Sequence, residues 1–349
     1  MKRLLLIALL LIVGCSQKSV DKTTFAGQEP ALTIDRIVSQ PLITGTAPSS
    51  PSWSADSRQL AFLWNDSGLP RREIWVVGGN GSGLRQLTSE IEGTGGVDLF
   101  VWTSDAADLI YLRSGDIWRV SFANGDGERL TETGGDKSDL AVSPDGQYAS
   151  FLQDGDLWLF HLGTSTLTRE TEVGVPSISS VPLGRYNRPD VEIGPYVWGG
   201  PTYAWSPDSR TIAVHYVDRR NMRTVPFPYY LGKETLVNKL RRGYPGDPNE
   251  HRTIGFYRVE SGDLTLLDLP GPTANRVVAF SWSPNGTLLL DRESDTAVDR
   301  WLHTVDPVDG RIQEIWHDHR ETRVYTSIAS AWHSDGVRVV FLSDLGDRY

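Results

Sequence analysis

The chain has 349 residues, 34 basic and 44 acidic, for a formal net charge of −10. No basic patch or basic-aromatic stripe interrupts that acidic balance, which argues against nucleic acid as a partner. The single cysteine excludes an intramolecular disulfide.

The first element is an export signal. Lys2 and Arg3 precede an apolar run from Leu4 to Val13. That run is too short to cross a bilayer as a helix, which needs roughly 20 residues. A basic start, a short apolar core and a small residue form the layout of a secretory signal. The run closes with Ile12-Val13-Gly14-Cys15, which resembles a bacterial lipobox. The resemblance implies cleavage before Cys15 and lipid on that residue. Ser16 follows, with no Asp at the next position. The resemblance therefore implies an outer-membrane lipoprotein facing the periplasm of a bacterial envelope. Without residues 1–14 the chain keeps 32 basic and 44 acidic residues, a net charge of −12. Residues 15–41 then read as a lipidated cysteine and a polar tether, and 42–349 as the folded body. That body is long enough for one large closed β architecture or two ordinary domains.

The body is built from a repeat. A Trp or apolar residue, Ser, Pro or a substitute, Asp or Asn and a small residue precede an alternating apolar strand. The first copy is Trp53-Ser54-Ala55-Asp56-Ser57, leading into Leu60–Trp64. Trp102-Thr103-Ser104-Asp105 leads into Leu109–Leu112, and Val142-Ser143-Pro144-Asp145-Gly146 into Tyr148–Leu152. Trp205-Ser206-Pro207-Asp208-Ser209 precedes Ile212–Val217, and Trp282-Ser283-Pro284-Asn285-Gly286 precedes Leu288–Leu290. The last copy is Trp332-His333-Ser334-Asp335-Gly336, before Val337–Leu342. Pro sets φ, Asp caps locally and Gly accepts positive φ, so each copy is a tight turn joining two antiparallel strands. The aromatic ends the incoming strand and is placed to pack between neighbouring sheets.

A second hairpin follows in each unit. Its strands read Glu73–Val77, Asp116–Val120, Asp156–Phe160, Thr253–Val259 and Arg300–Val305, three of them opening Glu-Ile-Trp, Asp-Ile-Trp or Asp-Leu-Trp. Edge strands such as Leu84–Thr88 and Glu128–Thr131 complete the unit. Four strands per unit of about 40 to 50 residues is a propeller blade. The fold class is therefore all-β, a propeller of four-stranded blades with about six visible. The motif positions are 49, 40, 63, 77 and 50 residues apart, so the two long intervals carry insertions. The sixth copy has only begun its first hairpin at Tyr349. Open sheet edges are a liability that closure removes. The expectation is thus an incomplete ring of an eight-bladed type, with residues 31–45 as an alternative source of the missing outer strand.

The longest interval carries the most distinctive text. Tyr196-Val197-Trp198-Gly199-Gly200 leads to the Trp205 turn. Val225-Pro226-Phe227-Pro228-Tyr229-Tyr230-Leu231 follows the strand, and then Tyr244-Pro245-Gly246-Asp247-Pro248-Asn249. This order resembles the N-terminal propeller of the dipeptidyl peptidase IV branch of the prolyl oligopeptidase family. The resemblance implies a propeller that gates and partly binds a peptide substrate for a following hydrolase domain with a Ser-Asp-His triad. No Gly-x-Ser-x-Gly elbow occurs in this chain, so no catalytic residue is assigned. The family's substrate-binding Glu-Glu pair is missing after Tyr196-Val197-Trp198. Glu192 and Asp190 lie nearby as substitutes, which puts dipeptide-releasing specificity in doubt. Arg219-Arg220 and Arg241-Arg242 offer bidentate carboxylate binding, although a surface role is the favoured reading for both pairs, and no motif places Arg71-Arg72 of the first blade's loop in a site.

No cofactor or metal is expected. His317 and His319 share a strand face, but a third ligand is not evident. The aspartates of the Ser-Pro-Asp turns are turn formers, and most tryptophans sit at the repeated packing position. The reading is a propeller portion of a lipoprotein serine exopeptidase acting on short, proline-containing peptides, inactive by itself. The alternative is a non-enzymatic envelope propeller of the Tol-system type binding a protein. The sequence leaves homo-oligomerisation open.

Overall fold

The computed structural model describes residues 32–179, 188–195, 201–271, 275–322 and 329–343. The export signal and Cys15 lie outside these residues. The described residues fall into two compact units, one of residues 32–46 and 66–69, the other of 47–65 and the described residues from 70 onward. Among the described residues of the smaller unit is a helix, α1 (Ile34–Val38), whose first turn is capped by the Thr33 hydroxyl accepting from Arg36 N–H at 3.2 Å. The segment read as a tether thus contains a helical turn. Described residues 32–48 hold no strand, so the alternative closing strand from this segment is not observed.

In the larger unit the repeat becomes a row of antiparallel sheets. Blade 1 is β1 (Ser49–Trp53), β2 (Gln59–Trp64), β3 (Glu73–Gly78) and β4 (Arg85–Gln86). Blade 2 is β5 (Leu99–Trp102), β6 (Asp108–Arg113), β7 (Asp116–Ser121) and β8 (Gly127–Arg129). Blade 3 is β9 (Ser138–Val142), β10 (Tyr148–Gln153), β11 (Asp156–His161) and β12 (Thr166–Arg169). Blade 4 splits its first strand into β13 (Val191–Ile193) and β14 (Tyr203–Trp205), both paired with β15 (Thr211–Asp218). Between β15 and its continuation a separate ribbon is inserted, β16 (Thr224–Tyr229) with β17 (Leu236–Arg241). The blade resumes with β18 (His251–Arg258) and β19 (Asp263–Leu266). Blade 5 is β20 (Asn275–Trp282), β21 (Leu288–Ser294), β22 (Asp299–Val305) and β23 (Ile312–His319). The sixth sheet has two described strands, β24 (Ser330–Trp332) and β25 (Val339–Phe341).

Each Ser-x-Asp turn is closed as its chemistry requires. The Ser54, Ser143 and Ser206 hydroxyls donate to Asp56, Asp145 and Asp208 at 2.6 Å, and Thr103 does the same to Asp105 at 2.7 Å. Each hydroxyl also accepts the backbone N–H five residues on, as Tyr148 to Ser143 at 2.9 Å. The turn aspartates are spent on the turn. Ser57, Ala106 and Ser209 adopt the left-handed φ that Gly146, Gly286 and Gly336 supply in the other copies.

The Asp-x-Trp openings have a second function. Thr131 donates to Asp116 at 3.0 Å and accepts from Ile117 N–H at 3.0 Å. Thr171 repeats this with Asp156 and Leu157 at 2.8 and 3.0 Å, and Thr88 with Glu73 and Ile74 at 2.6 and 2.9 Å. A buried carboxylate therefore ties the third strand of blades 1, 2 and 3 to the end of the fourth. In blade 1 the Glu73 carboxylate also pairs with buried Arg113 of blade 2.

The core is distributed between blades. Ala61, Leu63, Ile74 and Val76 of blade 1 pack on Phe100, Trp102, Leu109, Tyr111 and Val120 of blade 2. Equivalent apolar layers join blades 2 and 3, 3 and 4, and 4 and 5. The motif tryptophan staples these layers. Trp102 Nε1 donates to Ser52 O at 3.1 Å, Trp282 to Ala204 O at 2.9 Å and Trp332 to Ser281 O at 3.0 Å. Each acceptor is the residue before the motif position of the preceding blade. Blade 3 has Val142 there and makes no such bond to blade 2. Trp205 reaches blade 3 through a relay, Nε1 to Ser150 Oγ at 2.8 Å and Ser150 Oγ to Ala141 O at 3.4 Å.

The Pro-rich excursion is a strand ribbon. Pro226 and Pro228 are two residues apart, so both missing N–H groups fall on the same edge of β16. The other edge pairs with β17, and proline is tolerated at an unpaired edge. Among the described residues no helix is long and apolar enough to cross a membrane.

Candidate functional site

Strand polarity alternates within a blade. The connections between second and third strands and the crossovers between blades therefore share one face, opposite the Ser-Pro-Asp turns. The ionic residues nominated from sequence gather on that connection face. β13 pairs with the end of β15, Glu192 opposite Val217. β15 pairs with β18, Asp218 opposite His251. Arg219 and Glu250 therefore flank the same end of one ladder.

Glu192 Oε1 accepts Arg188 Nη2 at 2.8 Å, Arg188 Nε at 3.0 Å and Arg219 Nη1 at 2.8 Å. Arg219 Nε donates to Glu250 Oε2 at 2.8 Å, and its Nη1 also donates to Pro189 O at 2.9 Å. Glu250 Oε1 accepts Arg252 Nε at 2.8 Å, and Arg252 reaches Asn275 O at 2.7 Å and Asp295 at 3.3 Å. The chain of charges runs from the crossover into blade 4 to the 2–3 connection of blade 5. Burial pushes the Glu250 carboxyl up, but the Arg252 and Arg219 guanidiniums outweigh it and hold the group below its usual value. Beside this network Arg241 Nη2 pairs with Asp190 at 2.9 Å.

The structure thus joins Glu192 with Arg219 and separates Arg220. Arg219 is buried, 5% exposed, which corrects the surface reading of that residue. It follows directly on the largely buried strand β15. Arg220 is exposed and makes a local pair with Asp218 at 2.6 Å. Arg241 is likewise drawn inward onto Asp190, while exposed Arg242 donates its backbone N–H to Arg223 O at 2.9 Å. Arg71 and Arg72 brace the first blade, on Thr94 O at 2.5 Å and Ser49 Oγ at 3.0 Å. Sequence reasoning missed Arg188, Glu250 and Arg252. Arg188 is a local partner, four residues before Glu192, whereas the sheet register brings Glu250 and Arg252 to this end of the ladder.

Glu192 borders a cleft of about 320 Å³ between blades 3 and 4, with Asp136, Asp139, Asp154, Arg188 and Gly194 among its walls. Glu192 is 6% exposed, and its Oε2 takes no hydrogen bond among the described residues. A Cβ at position 194 would lie 3.0 Å from that oxygen, so Gly194 keeps its open side clear. The arrangement offers one buried carboxylate oxygen, fixed by two arginines, to a cationic donor entering the cleft. The Tyr196–Gly200 segment, where the family's acids would stand, lies outside the described residues.

His317 Nε2 and His319 Nδ1 both meet Asp299 Oδ1, at 3.0 and 2.7 Å. No group of metal-ligating residues able to hold an ion occurs among the described residues.

The stacked four-stranded blades joined by repeated indole staples are those of a β-propeller, here with a charged cleft on its connection face. Residues 199–344 match the family model of the dipeptidyl peptidase IV N-terminal region. A protein of Talaromyces stipitatus named a probable dipeptidyl-aminopeptidase B is 26% identical over 172 residues, 44% of this chain and 18% of that protein. The crystal structure of Porphyromonas gingivalis dipeptidyl peptidase 4 superposes with a TM-score of 0.65 at 14% identity, covering 80% of this chain and 41% of that one. At that identity the likeness shows the fold. The chain is thus similar to the N-terminal propeller region of these peptidases and spans less than half the length of either.

Proposed function

We propose that this chain is the non-catalytic, substrate-gating propeller portion of a serine exopeptidase acting on short, proline-containing peptides. The match of residues 199–344 to the dipeptidyl peptidase IV N-terminal region carries this reading. The absence of a Gly-x-Ser-x-Gly elbow from the sequence supports a chain without hydrolysis of its own. Within it, Glu192 receives the substrate's protonated amino terminus through Oε2. Arg219 and Arg188 hold that carboxylate in place. The purified chain is expected to leave a chromogenic Xaa-Pro substrate intact. It is also expected to bind an Xaa-Pro peptide with a free amino terminus more tightly than its N-acetylated form in titration calorimetry. Glu192→Gln should erase that difference. Turnover by the chain, or equal binding of the two peptides, refutes the proposal.

A protein-binding propeller of the envelope remains the second reading, favoured by the β16–β17 ribbon. Its Phe227, Leu236 and Val237 and the tip residues Tyr230 and Leu231 are exposed. The lipobox-like Ile12–Cys15 supports an outer-membrane lipid anchor. Metabolic labelling with palmitate should mark the wild-type chain and not Cys15→Ser.

A further inference from the structure

The other buried arginines each meet a carboxylate. Arg113 pairs with Glu73, Arg219 with Glu192 and Glu250, Arg252 with Glu250, and Arg300 with Asp291. Arg292 is the exception. It lies on β21 opposite Trp301 of β22 and Val277 of β20. Val277 belongs to the apolar layer between blades 4 and 5, so the register carries Arg292 into that layer. Arg292 is 1% exposed. Its Nη2 donates to Pro270 O in the crossover into blade 5, and its guanidinium sits over the Trp301 ring, 4.8 Å from the centroid. Its Nε and Nη1 are buried and have no hydrogen-bond partner among the described residues.

A buried charge is costly unless an opposite charge offsets it. Burial lowers the pKa of Arg292 from 12.5 to about 10, against the pull of Glu314. The guanidinium therefore stays charged at neutral pH. Glu314 is exposed and forms no ion pair with it. His303, opposite Leu290, is one diagonal step from Arg292 on the same face. It too is 1% exposed, and its Nδ1 is buried without a partner. The neutral imidazole can place its proton on that atom and donate. A Cβ at Gly271 would meet Arg292 Nη2 at 3.7 Å and, chain neighbours aside, no other described atom within 4 Å. There is room beside the guanidinium.

We propose that Arg292 holds a small monovalent inorganic anion, of halide size, in the interface between blades 4 and 5. The Nε and Nη1 hydrogens donate to it, with His303 Nδ1–H as a further donor. Burial decides the class. A peptide carboxylate or a phosphate ester brings a body that a residue 1% exposed does not admit. A divalent anion costs more to desolvate than one guanidinium returns. The weakly hydrated guanidinium suits a weakly hydrated anion such as chloride or bromide. The ion's effect is structural. It neutralises the group that ties β21 to Pro270 O, and so fixes blade 5 against the crossover from blade 4.

Crystals of the chain grown in sodium bromide test this. The expected result is an anomalous peak within hydrogen-bond reach of Arg292 Nε or Nη1. Thermal melts give a second reading, with chloride exchanged for gluconate at constant ionic strength. The wild-type midpoint should rise by about 5 °C at about a hundredfold excess of chloride over its dissociation constant. Arg292→Met has no charge to neutralise and should show no chloride response. A bromide map without a peak at Arg292 overturns the proposal, whether a water or the Glu314 carboxylate stands there instead. A peak accompanied by equal chloride responses in wild type and Arg292→Met also overturns it, because the ion is then adventitious.

Discussion

Arg219→Met removes the hub of the ionic network at nearly constant volume. Arg219 holds two buried carboxylates, each at 2.8 Å, and the Pro189 carbonyl at 2.9 Å. Losing one partner of a buried pair costs about 3–5 kcal/mol when the other charge is left alone. Here Glu192 keeps Arg188 and Glu250 keeps Arg252, which places the cost at the lower end, about 3 kcal/mol. Arg220→Met is the internal control. Its side chain is 55% exposed and its partner Asp218 is local, so the cost is about 0.5 kcal/mol or less. Urea unfolding followed by tryptophan fluorescence reads both, with the shift in midpoint at unchanged m giving the difference. If Arg219→Met lies within about 1 kcal/mol of wild type, or if the two variants are equally damaging, the placement of Arg219 as a buried hub is wrong.

Asp156→Ala strands the Thr171 hydroxyl, the Val173 and Gly174 N–H groups and Arg169, which all donate to Asp156. A loss of about 3–4 kcal/mol is expected in thermal melts, against about 1 kcal/mol for Asp156→Asn, which keeps an acceptor. Trp282→Phe deletes the bond to Ala204 O at 2.9 Å and should cost about 1–2 kcal/mol, measured by the same melts. Stability should also fall with acid. Burial lowers the pKa of His215 and of His303 from 6.5 to about 4. The unfolded chain therefore binds more protons in that window. The stability tied to keeping both imidazoles neutral is complete above pH 6.5 and is lost as pH falls toward 4. His303→Gln should flatten the slope of unfolding free energy against pH across that window, and an unchanged slope would refute the assignment.

The blade pattern was legible because it is local. A turn such as Ser143–Gly146 is closed by hydrogen bonds between residues at most five apart, so residue type and spacing declare it. The Asp-x-Trp strands were equally readable as strands. Their carboxylates' partners were not, since Thr131 and Thr171 lie 15 residues away. The ribbon of β16 and β17 was hidden by Pro226 and Pro228, which local reasoning sets against a strand and an unpaired edge permits.

Glu192 and Arg219 were nominated from sequence together with Arg220, and nothing local separated the three. The pairing of β13, β15 and β18 buried Arg219 against two acids and left its neighbour outside, as alternation along a chain does at the end of a strand. The staples have the same origin. Their tryptophans were evident as a repeat, but the acceptor for Trp282 lies 78 residues upstream. Turn chemistry and the period of two are carried by neighbouring residues, so the sequence by itself determined a series of blades. Which charges meet, and which carbonyl each stapling indole reaches, depends on blades stacking side by side. Only the tertiary structure decided that.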